Sequence, residues 1–426
     1  MKNKLNLVLN EVLREINPNE DELEFMKNSL SNFLVNTKER IKKLKIDAEI
    51  FVGGSYAKKT LIRGEFYDID LFLRFGKQYS EKEYKSLSEK ILKGTKNLSM
   101  VHGSRDYFRV NIGKSVFFEI VPVKKIKSPK EAVNITDLSY SHVNYIAKKV
   151  KSKKVLDGIK LAKAFLKSSK IYGAESYVNG FSGYSIELLI YHFGSFENFL
   201  KKLIAEKKEK LIIDIEKLYK KENVLLDMNG SKLDSPIILV DPTYKARNVL
   251  AALSQETYER FKERAKNFLK NPTVDFFKEK KLDFSKIKDE AEKRKFEFLS
   301  VDIKTKKEAG DIAGTKLLKF FNHLSKEMEN SFEIKKKDFE YHKNKSGRGY
   351  FILKQKKERI FQGPSIKDEK NSLKFKKEHD KIFEKKGRFY ASEKINLSGK
   401  EFLQKWVKKN KRKVKEMYIS GIEFYS

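Results

Sequence analysis

The 426-residue sequence predicts an α+β chain in three parts: a mixed head over residues 1–143, a helical middle over 144–270 and a C-terminal part over 271–426. Three observations carry that expectation. Residues 51–75, FVGGSYAKKTLIRGEFYDIDLFLRF, read as strand, glycine turn, short helix and strand. Helical periodicity then dominates from about 142 to 207. Past residue 295 the order becomes β-α-β-β-α-β, a ferredoxin-like signature. A chain of this length holds roughly two to four domains.

Residues 1–45 read as two helices punctuated by Asn17-Pro18, with Pro18, Glu20, Asp21 and Glu22 near the first turn of the second. Leu23, Met26, Leu30, Phe33, Leu34 and Ile41 form its apolar stripe. A helix is expected over 80–97, then strands near 106–112 and 115–123. In the middle part Ile159, Ala162, Phe165 and Leu166 share a helical face. The stretch KIYGAESYVNGFSGYSIELLIYHFGSF, 170–196, holds too many glycines for a plain helix hairpin. PIILVDPT reads as a strand leading into YKARN, and Ser254 as the N-cap of a helix running towards Leu269. In the last part FEFLSVDIK is a strand, 309–329 a helix, and SFEIKKKDFEYHK with RGYFILKQK a hairpin. A helix near 371–383 and the strand GRFYASE complete the expected pattern, and KWVKKNKRKVK closes the chain as a basic helix.

Lys and Arg number 93 against 59 Asp and Glu, a formal charge of +34. That balance favours a polyanionic partner, nucleic acid before membrane. Lys335, Lys336 and Lys337 beside Phe339 and Tyr341 suit an RNA backbone with stacking, although a solvated charged face is the commoner use of such a run. The absence of cysteine excludes disulfides, thiolate metal sites and a cysteine nucleophile. The first twenty residues lack a signal-peptide core and no run of about 18 apolar residues occurs, so no membrane span and a cytoplasmic location are expected.

The chemistry concentrates in 51–75. Gly53-Gly54-Ser55 lies where a strand passes into a helix, and backbone N–H groups there can cradle phosphate oxygens. Strand alternation puts Asp68, Asp70 and Phe72 on one face and Ile69, Leu71 and Leu73 on the other. Neighbouring carboxylates repel; a divalent cation removes that cost, and Mg²⁺ prefers carboxylate oxygens plus substrate phosphates. Glu119, within SVFFEIVPV, is a costly lone acid in an apolar strand unless paired or metal-bound. An edge position or an ion pair is the ordinary alternative; with the upstream pair in view, it is expected as the third metal carboxylate.

The spacing of GGS and DID resembles the nucleotidyltransferase superfamily that includes DNA polymerase β, poly(A) polymerases and CCA-adding enzymes. FFEIVPVKKIKSPKEA, LAKAFLKSSKIYGAES, NGFSGYSIELLIYHFGSF, VDPTYKARNVLAALS and ERIFQGPSIKDEKN narrow it to the archaeal, class I CCA-adding enzymes, tRNA nucleotidyltransferases. The resemblance implies a polymerase-β-like nucleotidyltransferase head, a helical central domain and a ferredoxin-like C-terminal part that binds tRNA. It implies addition of C, C and A to tRNA 3′ ends from CTP and ATP with two Mg²⁺ ions, and is compatible with a homodimer. By the same resemblance Asp68, Asp70 and Glu119 hold the metal, Glu119 standing where Asp is more usual. Gly54, Ser55, Lys58, His142, Lys163 and Tyr172 meet the nucleotide, and Arg247 reads its base. Judged apart from the family, His142 would be structural, Lys163 a surface cation and Arg247 a partner of Asp241. The competing readings are another RNA terminal nucleotidyltransferase, such as a poly(A) polymerase, and a non-catalytic RNA-binding protein on the same scaffold.

Overall fold

The computed structural model describes residues 2–101, 106–219, 223–279, 282–394 and 396–426. Two compact units divide the chain, Met1–Lys280 and Lys281–Ser426.

The first unit opens with α1 (Lys2–Ile16) and α2 (Glu20–Leu44). Asn19 caps α2 through a reciprocal pair: Glu22 N–H donates to Asn19 Oδ1 and Asn19 N–H donates to Glu22 Oε2, both at 2.7 Å. A mixed sheet follows: β1 (Ala48–Val52), the one-turn α3 (Gly54–Ala57), β2 (Tyr67–Phe75), α4 (Glu81–Leu92), β3 (Leu98–Val101), β4 (Tyr107–Ile112) and β5 (Val116–Lys124). The strand order is β1-β2-β5-β4-β3, with β2 and β5 parallel. Met26, Leu30 and Ile41 of α2 and Tyr84, Ile91 and Leu92 of α4 bury one sheet face against Ile69, Leu71, Leu73, Phe118 and Ile120. The opposite face carries the acids, as alternation requires. Three details depart from the sequence reading. Leu23 is 43% exposed and lies outside the stripe's core, α4 ends at Leu92, and β3 precedes the two expected strands.

The rest of the unit is mainly helical: α5 (Ser139–Lys149), α6 (Lys153–Ser168), α7 (Gly183–Phe193), α8 (Phe196–Ala205), then β6 (Leu211–Ile213), α9 (Val224–Asp227), β7 (Ile237–Asp241), β8 (Tyr244–Asn248) and α10 (Gln255–Lys270). Ser254 caps α10, accepting from Thr257 N–H at 3.2 Å. The glycine-rich segment is not helical until Gly183; it folds back through a bridge between Tyr172 and Phe181. The core joins Ile159, Ala162, Phe165 and Leu166 of α6 to α7, α8 and α10, and also takes Leu5, Val8 and Val12. Thus α1 packs with the helical part and α2 with the sheet.

The second unit contains α11 (Phe284–Lys293), β9 (Glu297–Thr305), α12 (Asp311–Met328), β10 (Phe332–Tyr341), β11 (Ser346–Gln355), β12 (Glu358–Ser365), α13 (Glu369–Glu378), β13 (Ile382–Lys385), β14 (Arg388–Lys394), α14 (Gly399–Lys409), α15 (Lys411–Glu416) and β15 (Ile419–Tyr425). The sheet order β10-β11-β9-β15, all antiparallel, is ferredoxin-like. The helix and strand expected to complete it do not. The segment from β12 to β14 instead forms its own three-stranded sheet, β12-β14-β13, and α14, α15 and β15 finish the main one. The basic stretch 405–415 is therefore followed by a strand. Its Trp406, the single tryptophan of the sequence, packs 6.5 Å from Phe320 and 5.3 Å from His323 of α12, ring centre to ring centre. The expected aromatic–basic face on β10 is also revised. Lys335, Lys336 and Lys337 are exposed, but Phe339 turns inward to Phe321 at 5.2 Å. The Tyr341 hydroxyl is occupied by Gly310 N–H at 2.7 Å and by the Asn344 carbonyl at 2.6 Å.

Candidate active site

The glycine turn and the acids meet at β2. Gly53 N–H donates to the Asp70 carbonyl at 2.8 Å, fixing the turn against the strand. Gly54 has φ +60°, and a Cβ there would lie 1.7 Å from Asp70 Oδ2. Only glycine permits both the left-handed backbone and this approach. Ser55 follows in α3, its carbonyl accepting from Thr60 N–H at 2.9 Å.

Asp70 faces Glu119 directly across the parallel β2–β5 pair, with Asp68 two residues along the same face. Asp68 is exposed, whereas Asp70 and Glu119 are half-buried. Burial and the charges of Glu119 and Asp68 push Asp70 up to about 6, against the pull of Lys58 and Lys163. Glu119 is likewise raised, first by burial. It also makes the ion pair weighed as the alternative: Arg109, its cross-strand neighbour on β4, donates from Nη2 to Oε1 at 2.5 Å. Hard carboxylate oxygens crowded at ionic cost are the donor chemistry that Mg²⁺ takes. Among the described residues no three such groups stand close enough together to chelate an ion as they are placed.

Beside the acids lies a buried charged cluster. Lys58 Nζ donates to Glu187 Oε2 at 2.7 Å, and Lys163 Nζ to Thr60 Oγ1 at 2.8 Å, to the Thr60 carbonyl at 3.1 Å and to Glu187 Oε1 at 3.4 Å. Thr60 Oγ1 donates to Glu187 Oε1 at 3.1 Å. Glu187 is fully buried and Lys163 nearly so. Burial pushes Lys163 down to about 8, with Glu187 opposing and Lys58 adding to the fall. Burial would raise Glu187, but Lys58 and Lys163 hold it below the ordinary carboxylate range. Tyr172 completes this side; burial, then Glu187, Glu175 and Asp70, raise its hydroxyl.

A second cluster gathers His142 and Arg247 around Asp241. Arg247 Nη1 donates to Asp241 Oδ2 at 2.7 Å, and His142 Nε2 lies 3.0 Å from the same oxygen. Tyr184 stacks on the imidazole at 4.0 Å and donates to Asp241 Oδ1 at 3.3 Å. Burial lowers His142, and Arg247 and Lys58 add to that against Asp241. Lys58 therefore acts on both clusters, so the two share one neighbourhood. Sequence reasoning missed Arg109, Glu187, Thr60 and Tyr184. Glu187 left a signal: it is the lone acid of the apolar run SIELLIYHF.

A nucleotidyltransferase domain model matches residues 34–136, and a model of the second domain of tRNA nucleotidyltransferase matches 157–278. The CCA-adding enzyme of Nanoarchaeum equitans is 32% identical over 305 residues, 70% of this chain and 72% of that protein. The chain belongs to the CCA-adding enzyme family. A second member, from Methanocaldococcus jannaschii, is 32% identical over 65% of this chain, and that match spans 62% of its own length. The CCA-adding enzyme of Methanopyrus kandleri is 29% identical over 77% of this chain and 70% of its own. Solved structures share the fold: a poly(U) polymerase mutant bound to MgATP, TM-score 0.52 at 12% identity over 66% of this chain and all of that one, and a cytoplasmic RNA terminal U-transferase, TM-score 0.50 at 13% identity over 66% and 99%. As a member of its family, the chain is a tRNA nucleotidyltransferase with an α+β, polymerase-β-like head. No helix among the described residues is long and apolar enough to cross a membrane.

Proposed function

We propose that this chain extends tRNA 3′ ends by C, C and A, taking CTP and ATP without a template and releasing pyrophosphate. The observation that carries the reading is the meeting of Asp70, Glu119 and the Gly54 turn beside the half-buried Lys58 and the buried Lys163, in a member of this family. Asp68, Asp70 and Glu119 would hold Mg²⁺. Mg²⁺ bound there, as two ions, would supply activation of the tRNA 3′-hydroxyl and charge stabilisation of the triphosphate. The Gly54-Ser55 turn approaches the phosphates closely, and Lys58 and Lys163 offer cations to them. Tyr172 stands by for the sugar, and Arg247 with His142 for the base. On this division of labour residues 1–143 carry the carboxylates, 144–270 close over the nucleotide and 271–426 grip tRNA in the cytoplasm.

The deciding experiment supplies tRNA lacking its CCA end with CTP, ATP or both, and sequences the products. CTP alone should add two C and stop, and the pair should complete CCA. Runs of A or U, or no extension, would overturn the reading.

A further inference from the structure

Glu187 has no place in the chemistry just described, yet it is a fully enclosed charge beside it. It sits on α7, 0% exposed, and its two oxygens are divided between two cations from different elements. Lys58 comes from the turn after α3 in the head, and Lys163 from α6 in the helical part. Two ammonium groups held this close repel, and each would otherwise turn towards water. A buried carboxylate with three polar contacts on it is costly unless every partner is in place.

We infer that Glu187 is a positioning residue for nucleotide binding: it holds the Lys58 and Lys163 ammoniums side by side at the edge of the carboxylate site, making a paired cationic seat for a nucleoside triphosphate's phosphates. This rests on the proposed function, in which those lysines face the phosphates. One carboxylate against two ammoniums leaves the seat net positive. Incoming phosphate oxygens therefore find cations already oriented, and orientation prepared in advance lowers the cost of binding. Glu187 also keeps Lys163 charged. The groups acting on Lys163 are Glu187 of α7, Lys58 after α3 and Lys167 of its own helix, with Thr60 as its neutral acceptor and Asp70 of β2 coupled to it by charge. Glu187 is the negative partner it touches.

The test is the Glu187→Gln protein, with KM for CTP and kcat compared with the parent enzyme from pH 6 to pH 8.5. Removing an opposite charge at contact shifts a neighbouring group by about one unit or more. With Lys163 starting at about 8, its charged fraction at pH 8 falls from about one half to about one tenth. KM should then rise about fivefold at pH 8 with a smaller change in kcat, and the ratio of variant to parent should shrink towards unity near pH 6. A KM ratio that is flat with pH, or a loss confined to kcat, overturns the inference. Should Glu187→Gln not fold, Glu187→Asp carries the test. The shorter acid keeps the charge but cannot span both lysines, so KM for CTP rises without the pH trend, and an unchanged KM overturns the inference. A parent enzyme that adds no nucleotide at all instead marks failure of the proposed function.

Discussion

Replacing Asp70 with Asn should make the protein more stable and inactive at once. The ordinary Asp value is 3.8, and in the fold Asp70 stands at about 6, raised by burial, Glu119 and Asp68. A folded value above the unfolded one means that the group's favourable contribution is full in acid and is lost as pH rises through about 6. At pH 7.5 the ionised side chain costs about 3 kcal/mol, from about two units at about 1.4 kcal/mol each. The amide has the same shape, so it fits beneath Gly54, and it carries no charge. At pH 4 the same linkage leaves a difference of only about 0.5 kcal/mol. For a unit of this size the neutral-pH gain corresponds to roughly 5 °C in Tm. Thermal melts of both proteins at pH 7.5 and pH 4, with and without Mg²⁺, read it directly. Mg²⁺ should raise the parent's Tm more than the variant's. An Asp70→Asn protein that melts no higher than the parent at pH 7.5, or whose gain persists at pH 4, refutes the electrostatic account of the site.

Asp68→Ala and Glu119→Ala should abolish nucleotide addition while tRNA binding survives; Glu119→Asp should keep activity, since it keeps the carboxylate and retreats from Arg109, and a dead but folded protein would locate the fault in local geometry. Arg247→Ala should slow incorporation and narrow the preference for CTP over UTP by about tenfold, the scale of a lost buried hydrogen bond of roughly 1–3 kcal/mol; single-nucleotide kinetics with an unchanged preference leave Arg247 as a structural partner of Asp241. Affinity for tRNA should fall steeply with salt, and Lys335→Gln, Lys336→Gln and Lys337→Gln together should flatten the log–log slope by up to about 2.7, at about 0.9 per phosphate contact. Filter binding with the same slope in both proteins would remove this strand from the RNA contact.

What the sequence made legible was local. Alternation in YDIDLFLRF sorted Asp68 and Asp70 from Ile69 and Leu71, and the structure buries the second pair against α2 and α4. Side-chain periodicity needs no knowledge of partners. The pairing of Asp70 with Glu119 spans one helix and two strands, and no local pattern states which strands lie side by side. Likewise Glu187 looks like an isolated polar interruption until Lys58 and Lys163 arrive from distant segments. The second unit shows the opposite failure: a genuine β-α-β-β-α-β order was present, but an inserted sheet supplied a helix and strands of the right type too early. Insertions repeat the local grammar of the fold that hosts them, so only strand pairing separates them from it. Phe339 and Tyr341 follow the lysine run 335–337 on the same strand, as a stacking surface would, yet the pleat turns Phe339 inward onto α12.

The position of Trp406 gives the molecule a built-in optical label. The indole, half-buried on α14, packs onto α12 and against the ferredoxin-like core, so its emission answers to packing in that unit. The first unit, which holds the proposed chemistry, contributes tyrosine and no tryptophan. Unfolding followed by indole emission thus tracks residues 281–426, while far-ultraviolet circular dichroism sums over both units. If the two probes give different denaturant midpoints, the units unfold as separate cooperative blocks. Coincident curves would mean that they melt together.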